Sequence, residues 1–361
     1  MSDIRLRVNG ISYQGWKSIQ VSTSMDQICG TFGFSSVDKY TGKPRDWKMA
    51  IGDLCEVTVD GNIICTGYID EMPITYDAET HSIQVSGRDK TADLVDCSFV
   101  DPVNNVNEWN GQTIMKLIKN ICDPFDISVT IDSSVSSDVN DTVERFAANE
   151  GETAFDSVLK LCKHKAILPL SYGDGRLTLT RAGAKRAVDT LELGVNILAG
   201  DLSQSNRERF SKYIVKGQGN EKTSLDLTSV TQASGEATDA VISGKNRYRP
   251  LVILTDGEVN AGNCQSLARF EARNRAGRSR SLRYSVVGWT QSNGKPWELN
   301  STVRVRDSYF DIDGTKLISA IEFTLDDTNG EIAYLTLVDK EAYELREEPI
   351  ELIKTKYDWE G

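Results

Sequence analysis

Apolar and polar residues alternate in short runs through residues 1 to 98. Ile4 to Val8, Ser18 to Ser24, Gly30 to Ser35, Leu54 to Val59, Ile63 to Tyr68 and Ser82 to Gly87 each predict a strand. Asp60-Gly61 between two of these runs is a hairpin signal, and Phe32 and Phe34 alternate as in a half-buried strand. Short strands at regular spacing suggest a small barrel or roll. The period then changes. Ile114, Leu117, Ile118 and Ile121 recur at helical spacing, as do Phe155, Val158, Leu159 and Cys162, so two amphipathic helices are predicted. Ile127, Val129 and Ile131 alternate between them, and Ala166 to Ser171 and Leu177 to Arg181 flank Asp174-Gly175 as a hairpin. Strand patterns return at Arg209 to Lys216, Ser281 to Trp289, Thr302 to Arg306, Lys316 to Leu325 and Glu331 to Asp339, with Asn329-Gly330 closing a hairpin between the last two. Thr223 to Lys245 is Ser/Thr/Gly-rich and is expected to be a loop, followed by a helix from about Asn263 to Gly277.

The expected fold is mainly β with α+β insertions: two small β-barrel or roll domains plus two α+β domains, forming a ring. The expected boundaries are a first barrel over 1–98, an inserted α+β domain over 99–182, a second barrel from 183–222 and 283–345, an α+β insertion over 223–282 and a tail over 346–361. A length of 361 residues suits several modest domains, and 39% hydrophobic with 26% charged residues is ordinary for a globular chain. No run approaches the roughly 20 apolar residues of a membrane span, and the N-terminus lacks the apolar stretch of a signal peptide, so cytoplasmic synthesis is expected. The seven cysteines are scattered, odd in number and never spaced CxxC, which suggests buried free thiols. A net charge of −12 argues against the whole chain gripping DNA phosphates.

Catalytic patterns are absent. His81 and His164 are the only two histidines, which excludes a multi-histidine metal site. Ser157-Val158-Leu159-Lys160 matches S-x-x-K, but without its companion boxes; Val158 and Leu159 continue an apolar stripe, so Ser157 and Lys160 are expected on the helix surface. Gly244-Lys245 lacks the remainder of a P-loop, since position 239 is Asp and position 246 is Asn. Asp311-Ile312-Asp313-Gly314 resembles the start of a calcium loop, yet Lys316 replaces the turn glycine, and a hairpin turn is the better reading. Two charge runs stand out: nine acids against Arg145 alone from Asp123 to Asp156, and six arginines against Glu271 alone from Cys264 to Arg283. Each is either a solvated face or a contact surface.

Several segments resemble one family. Ile83-Gln84-Val85-Ser86-Gly87-Arg88-Asp89-Lys90-Thr91-Ala92-Asp93-Leu94-Val95-Asp96-Cys97-Ser98 is similar to the end of the first barrel in Mu-type phage baseplate hub proteins, which are related to the late control protein D group. Gly151-Glu152-Thr153-Ala154-Phe155 and the run Asp174 to Arg181 resemble their inserted α+β domain. Gly288-Trp289, Gly294, Trp297, Asn300, Val303, Val305 and Asp307 resemble their second barrel, while 220–262 match least. Gly87, Gly151 and Gly175 also read as turn glycines, and Trp289 and Trp297 as core aromatics.

The resemblance implies a homotrimeric hub in the virion tail baseplate, assembled in the host bacterial cytoplasm. Two similar barrels per subunit would adapt a sixfold tail tube to a threefold central spike, leaving a channel through which DNA passes without specific binding. The implied partners are the chain itself, the tail spike protein, and tail tube and baseplate wedge proteins; no cofactor and no catalytic residue is implied. The alternatives are the hub of a type six secretion-like needle, a tail-associated peptidoglycan hydrolase, and a carbohydrate-binding module with Trp16, Trp47 and Trp109 as candidate exposed aromatics.

For the arginine-rich helix, Arg269 and Arg273 fall on one face at 100° per residue, whereas Arg275 and Arg278 fall nearly opposite. Glu271 stands four residues before Arg275 in the favourable orientation for a helix pair. Arg269 and Arg273 are therefore the expected subunit contacts, meeting carboxylates rather than nucleic acid.

Overall fold

The computed structural model describes residues 2–38, 48–77, 81–101, 107–218, 232–258 and 260–348, and in it the alternating runs become strands with one buried face. Ile19 and Val21 on Ser18–Ser24, Phe32 and Phe34 on Thr31–Asp38, and Ile83 and Val85 on His81–Asp89 all turn inward. Phe34 packs edge-on against Trp16, with ring centroids 5.2 Å apart. At the predicted hairpin, Asp60 and Gly61 both have positive φ, 48° and 81°, as a two-residue turn between twisted strands requires.

The chain divides into two compact units, one of Met1–Gly200, Arg283–Leu337 and Leu345–Gly361, the other of Asp201–Leu282 and Val338–Glu344. A 14-stranded sheet runs through the first. Its order is Ile197–Gln204, Arg280–Val287, Gly330–Val338, Ile312–Asp326, Ser18–Ser24, Thr31–Asp38, His81–Asp89, Asn62–Glu71, Leu54–Val59, Ile4–Val8 and Ile11–Tyr13. Ser301–Asp307 joins at Ile312–Asp326 and is flanked in parallel by Lys185–Glu192.

This corrects the expectation of two small barrels: the strands form one sheet, and no closed barrel is present among the described residues. The reason is one antiparallel seam, in which Ala320 to Leu325 pair in register with Ser24 to Ile19. Strands from opposite ends of the sequence thereby share their edges instead of closing on themselves. The mainly β class with α+β insertions stands.

Within the first unit, the helices Ile114–Cys122 and Ala154–His164 pack over the antiparallel pair Glu108–Thr113 and Thr142–Ala147 and the three strands Val129–Ile131, Leu177–Thr180 and Leu168–Leu170. Both helices start at a threonine. Thr113 accepts from the Lys116 amide, and Thr153 forms a reciprocal capping box with Asp156. Ser157 is buried rather than on the surface, because it stands three residues after Ala154 and four before Leu161, in the middle of the apolar face.

Gly87 is likewise no turn glycine. It lies inside His81–Asp89, where an added Cβ would come 1.9 Å from the Tyr68 carbonyl oxygen, so a close strand crossing requires it. Gly151 and Gly175, at φ 85° and 75°, are turn glycines as expected. At the Asn329-Gly330 hairpin the positive φ belongs to Gly330 alone, and Asp326 holds the turn by accepting from the amides of Thr328 and Asn329 at 2.7 and 2.6 Å.

The second unit has a three-stranded sheet, Gln232–Thr238, Lys212–Gln218 and Pro250–Glu258, covered by the helix Ala261–Arg278. The loop expected over Thr223 to Lys245 is corrected where it is described: Gln232–Thr238 is a strand and Ala240–Ser243 a short helix, while 219–231 lie outside the described residues. The strand lacks large apolar residues because the helix comes too close to need them. A Cβ on Gly235 would meet the Gln265 amide nitrogen at 2.1 Å. The expected tail falls outside the described residues beyond Glu348.

Candidate assembly surface

The arginine-rich helix is fixed before its arginines are considered. Asn260 caps it by accepting from the Asn263 amide at 2.8 Å, and Cys264, Leu267 and Ala268 bury one face against Tyr213, Val215 and Ala233. Arg275 then turns to local partners: Nε donates to Glu271 at 2.9 Å, the expected helix pair, and Nη1 to Glu208 at 3.2 Å. Its guanidinium and that of Arg249 lie 5.6 and 5.2 Å from the Phe210 ring. Arg278 donates to the Ala342 carbonyl at 3.0 Å. Arg269 and Arg273 are one turn apart, exposed, and make no ion pair among the described residues.

Nearby, Arg209 and Asp239 form a two-bond pair at 2.7 and 2.8 Å, with side chains only 13% and 5% exposed. Burial pushes the Asp239 carboxyl up, but hydrogen bonds and charge from Arg209 more than offset it and hold the group below the usual carboxylate range.

The acidic run from Asp123 to Asp156 is largely engaged within the chain. Asp126 pairs with Lys90 at 2.7 Å, Asp138 with Arg181 at 2.7 Å, Asp141 with Lys165 at 2.6 Å and Glu152 with Lys160 at 2.5 Å. Asp132 and Asp156 cap local turns. Most of the run therefore fixes the insertion's own loops, and such part-exposed pairs contribute about 0–1 kcal/mol each.

The formal motif matches dissolve in the same way. Lys160 is held by Glu152 and Ser157 is sealed from solvent, so no nucleophile and base stand together. His81 stacks on Tyr76 at 6.0 Å, and His164 Nδ1 lies 3.1 Å from the Glu348 carbonyl oxygen. Asp311, at φ 53°, sits in the turn of a hairpin. No group of three or more His, Cys, Asp or Glu among the described residues could hold a metal ion.

Five of the seven cysteines are buried, and burial pushes the Cys55 and Cys122 thiols up to about 12. Trp16 and Trp109 are 8% and 9% exposed and pack in cores, which removes them as carbohydrate platforms; Trp47 lies outside the described residues. Trp289 and Trp297 are core aromatics as expected. No helix among the described residues is long and apolar enough to cross a membrane.

One surface was not anticipated from sequence. Val188 on Lys185–Glu192, Val195 in the turn that follows and Leu198 on Ile197–Gln204 are 62%, 74% and 55% exposed, and every side chain of Ile197–Gln204, the strand that ends the sheet order, is at least partly open to solvent. The exposure of a whole strand leaves no alternation to find.

A long open sheet with compact α+β insertions and uncovered apolar and cationic surface describes the architecture but not the family. Comparison with known proteins specifies it. Residues 3–89 match the family described as Mu phage baseplate assembly protein GpP-like, N-terminal; 91–181 match baseplate hub protein gp44-like, second domain; and 261–346 match Mu phage baseplate assembly protein GpP, fourth domain. Baseplate hub protein gp44 of Escherichia phage Mu is 31% identical over 345 residues, 94% of this chain and 88% of that one. The chain belongs to the Mu phage baseplate hub family. The 43 kDa tail protein of prophage MuSo2 from Shewanella oneidensis superposes with a TM-score of 0.81 at 32% identity, covering 95% of this chain and 99% of that one. The tail protein from Neisseria meningitidis MC58 shares the fold, with a TM-score of 0.77 at 20% identity over 96% and 99% of the two chains.

Proposed function

We propose that this chain is the structural baseplate hub of a phage or prophage contractile tail, without enzymatic activity, acting as a homotrimer that joins the sixfold tail tube to a threefold spike and leaves a path for DNA. The observation that carries the reading is the end-to-end similarity to a baseplate hub protein, which spans the sheet and its insertions together. The likeness to phage tail proteins favours this over a secretion needle. The reading includes four domains with the boundaries 1–98, 99–182, 183–222 with 283–345, and 223–282.

Self-association is supported by Ile197–Gln204, which ends the sheet order with Leu198 exposed, since a long uncovered edge strand is a surface that a stable monomer avoids. Arg269 and Arg273 are the proposed subunit contacts, because they alone among the arginines of their helix, Arg269, Arg273, Arg275 and Arg278, have no partner among the described residues. Light scattering is expected to give three times the 40.0 kDa of one chain. A strictly monomeric protein at high concentration would refute the hub reading. Purified protein is expected to leave a peptidoglycan zymogram uncleared; clearing would restore the hydrolase.

A further inference from the structure

The strand His81–Asp89 ends on a buried carboxylate that no cation among the described residues bonds. Asp89 is 1% exposed, yet the two cations that flank it in sequence both turn away: Arg88 bonds Asp70 and Asp96 at 2.9 and 2.8 Å, and Lys90 bonds Asp126 at 2.7 Å. The partners of Asp89 are neutral donors from three separate parts of the chain. The Gly30 amide donates to Oδ2 at 2.8 Å and the Thr91 amide to Oδ1 at 2.8 Å, and the hydroxyls of Thr91 and Ser171 donate as well.

These parts meet where the α+β insertion joins the large sheet. Gly30 precedes Thr31–Asp38, Thr91 precedes the helix Ala92–Asp96, and Ser171 opens the loop that follows Leu168–Leu170 in the insertion. That loop lies hard against the sheet: the Thr66 amide donates to the Gly173 carbonyl at 2.6 Å, and a Cβ on Gly173 would come 2.1 Å from the Ile64 carbonyl oxygen. Thr91 stands at the N-cap of its helix, but its hydroxyl makes no cap bond and turns to Asp89 instead. It also has a second acceptor, the Ile28 carbonyl oxygen at 3.4 Å.

A hydroxyl can reverse its role, whereas an amide can only donate. When Asp89 is ionised, both hydroxyls donate to it. When it carries a proton, its own O–H can donate to Thr91 Oγ1, whose hydrogen then turns to Ile28, while both amides keep their acceptors. A carboxylate paired with arginine, such as Asp239, has no such second state. Burial pushes the Asp89 carboxyl above the usual carboxylate range, more than its hydrogen bonds lower it. The Cys29 and Cys65 thiols beside it are pushed up too, chiefly by burial, and stay neutral. On the insertion's loop, Asp174 and Arg176 bond each other at 2.7 Å and Tyr172 accepts from Asn300 at 3.4 Å. Asp93, on the helix, is also pushed up by burial and must be told apart from Asp89.

We propose that Asp89 is a proton-dependent fastening between the large sheet and the α+β insertion, closed more tightly in mild acid than at neutral pH. The folded carboxyl titrates above its unfolded value of roughly 3.9, so its contribution is complete below that value and lost as pH rises through the folded one. That sign is opposite to the one expected of Asp239, which is held below the usual range. The fastening lies within one chain and does not depend on the hub reading.

Amide hydrogen exchange of the full chain tests this, read at Gly30, Thr66 and Thr91 between about pH 7 and about pH 5 and corrected for the intrinsic effect of pH on exchange. Wild-type protection at these amides is expected to rise at least about threefold on acidification and to stay flat in Asp89→Asn. A flat wild type overturns the proposal, as does an equal rise in Asp89→Asn, which would assign the titration to Asp93. Ser171→Ala is the gentler variant should Asp89→Asn misfold. It removes a donor to the ionised form, so the midpoint of the rise is expected at higher pH than in the wild type. A midpoint that does not move, or moves down, would refute the assignment.

Discussion

Replacing Asp239 by alanine should be among the most damaging single changes in the second unit. The carboxylate accepts two bonds from Arg209 and also caps Ala240–Ser243 by accepting from the Val241 amide at 3.0 Å. Removing it leaves a guanidinium that is 13% exposed with only the Ser279 hydroxyl, at 3.3 Å, as a side-chain partner among the described residues. Breaking a buried pair from one side costs about 3–5 kcal/mol. Loss of a cap costs about 1 kcal/mol, but the same oxygens serve both roles, so the two do not simply add. The expected loss is therefore about 3–5 kcal/mol.

Because the chain has two compact units, one global unfolding energy is ill-defined, and native-state hydrogen exchange in Lys212–Gln218 and Ala261–Arg278 is the better assay. Asp239→Leu with Arg209→Met should recover most of the loss, since an apolar pair of similar volume leaves no orphan. The pH dependence has a definite sign. The folded carboxyl titrates below its unfolded value of roughly 3.9, so the pair's contribution is full above that value and lost as pH falls through the folded one. Wild-type protection should fall in that acid window and the alanine variant should lack that step. A loss below about 1 kcal/mol for Asp239→Ala would refute the reasoning.

Gly87→Ala should force the strands Asn62–Glu71 and His81–Asp89 apart, costing about 1–3 kcal/mol or more in a thermal melt, whereas alanine at half-buried Gly33, where an added Cβ meets nothing within 4 Å, should cost less than about 1 kcal/mol. Asn300, fully buried at φ 59°, accepts from the Gly183 amide at 2.6 Å and donates to the Arg181 carbonyl at 2.9 Å; Asn300→Ala should cost about 2–3 kcal/mol by urea melt, and Asn300→Gly less, because glycine relieves the backbone. Arg269→Glu with Arg273→Glu should leave single-chain stability within about 0.5 kcal/mol while lowering trimer content by light scattering. Maleimide labelling at pH 7 should reach exposed Cys97 first and the five buried thiols only on unfolding.

What could be read in the sequence follows from what alternation encodes. Ile4–Val8, Ser18–Ser24 and Leu54–Val59 have the bounds expected of them because each buries every second residue. Alternation identifies a buried face but not a partner, so the pairing of Ser18–Ser24 with a strand about 300 residues later was illegible, and separate barrels were expected instead. Ile197–Gln204 escaped notice because its side chains are open on both faces, and Gln232–Thr238 because Gly235 substitutes closeness for bulk. Ser157 reads as surface when Val158 and Leu159 are taken as the apolar stripe, yet its spacing from Ala154 and Leu161 is that of the buried face. The Glu271 and Arg275 pair was legible because helix geometry alone fixes it.

Charge is informative on this chain where it is unpaired, more than where it is dense. The acidic run reads as either a solvated face or a contact surface, and local lysines and arginines pair with four of its nine carboxylates. Arg269 and Arg273 carry fewer charges but more meaning. Like charges one helical turn apart repel by a few tenths of a kcal/mol, and no carboxylate among the described residues relieves them. An isolated chain gains nothing from that arrangement. A neighbour offering carboxylates at the same spacing would turn the repulsion into bidentate bonds, for which guanidinium is better shaped than ammonium.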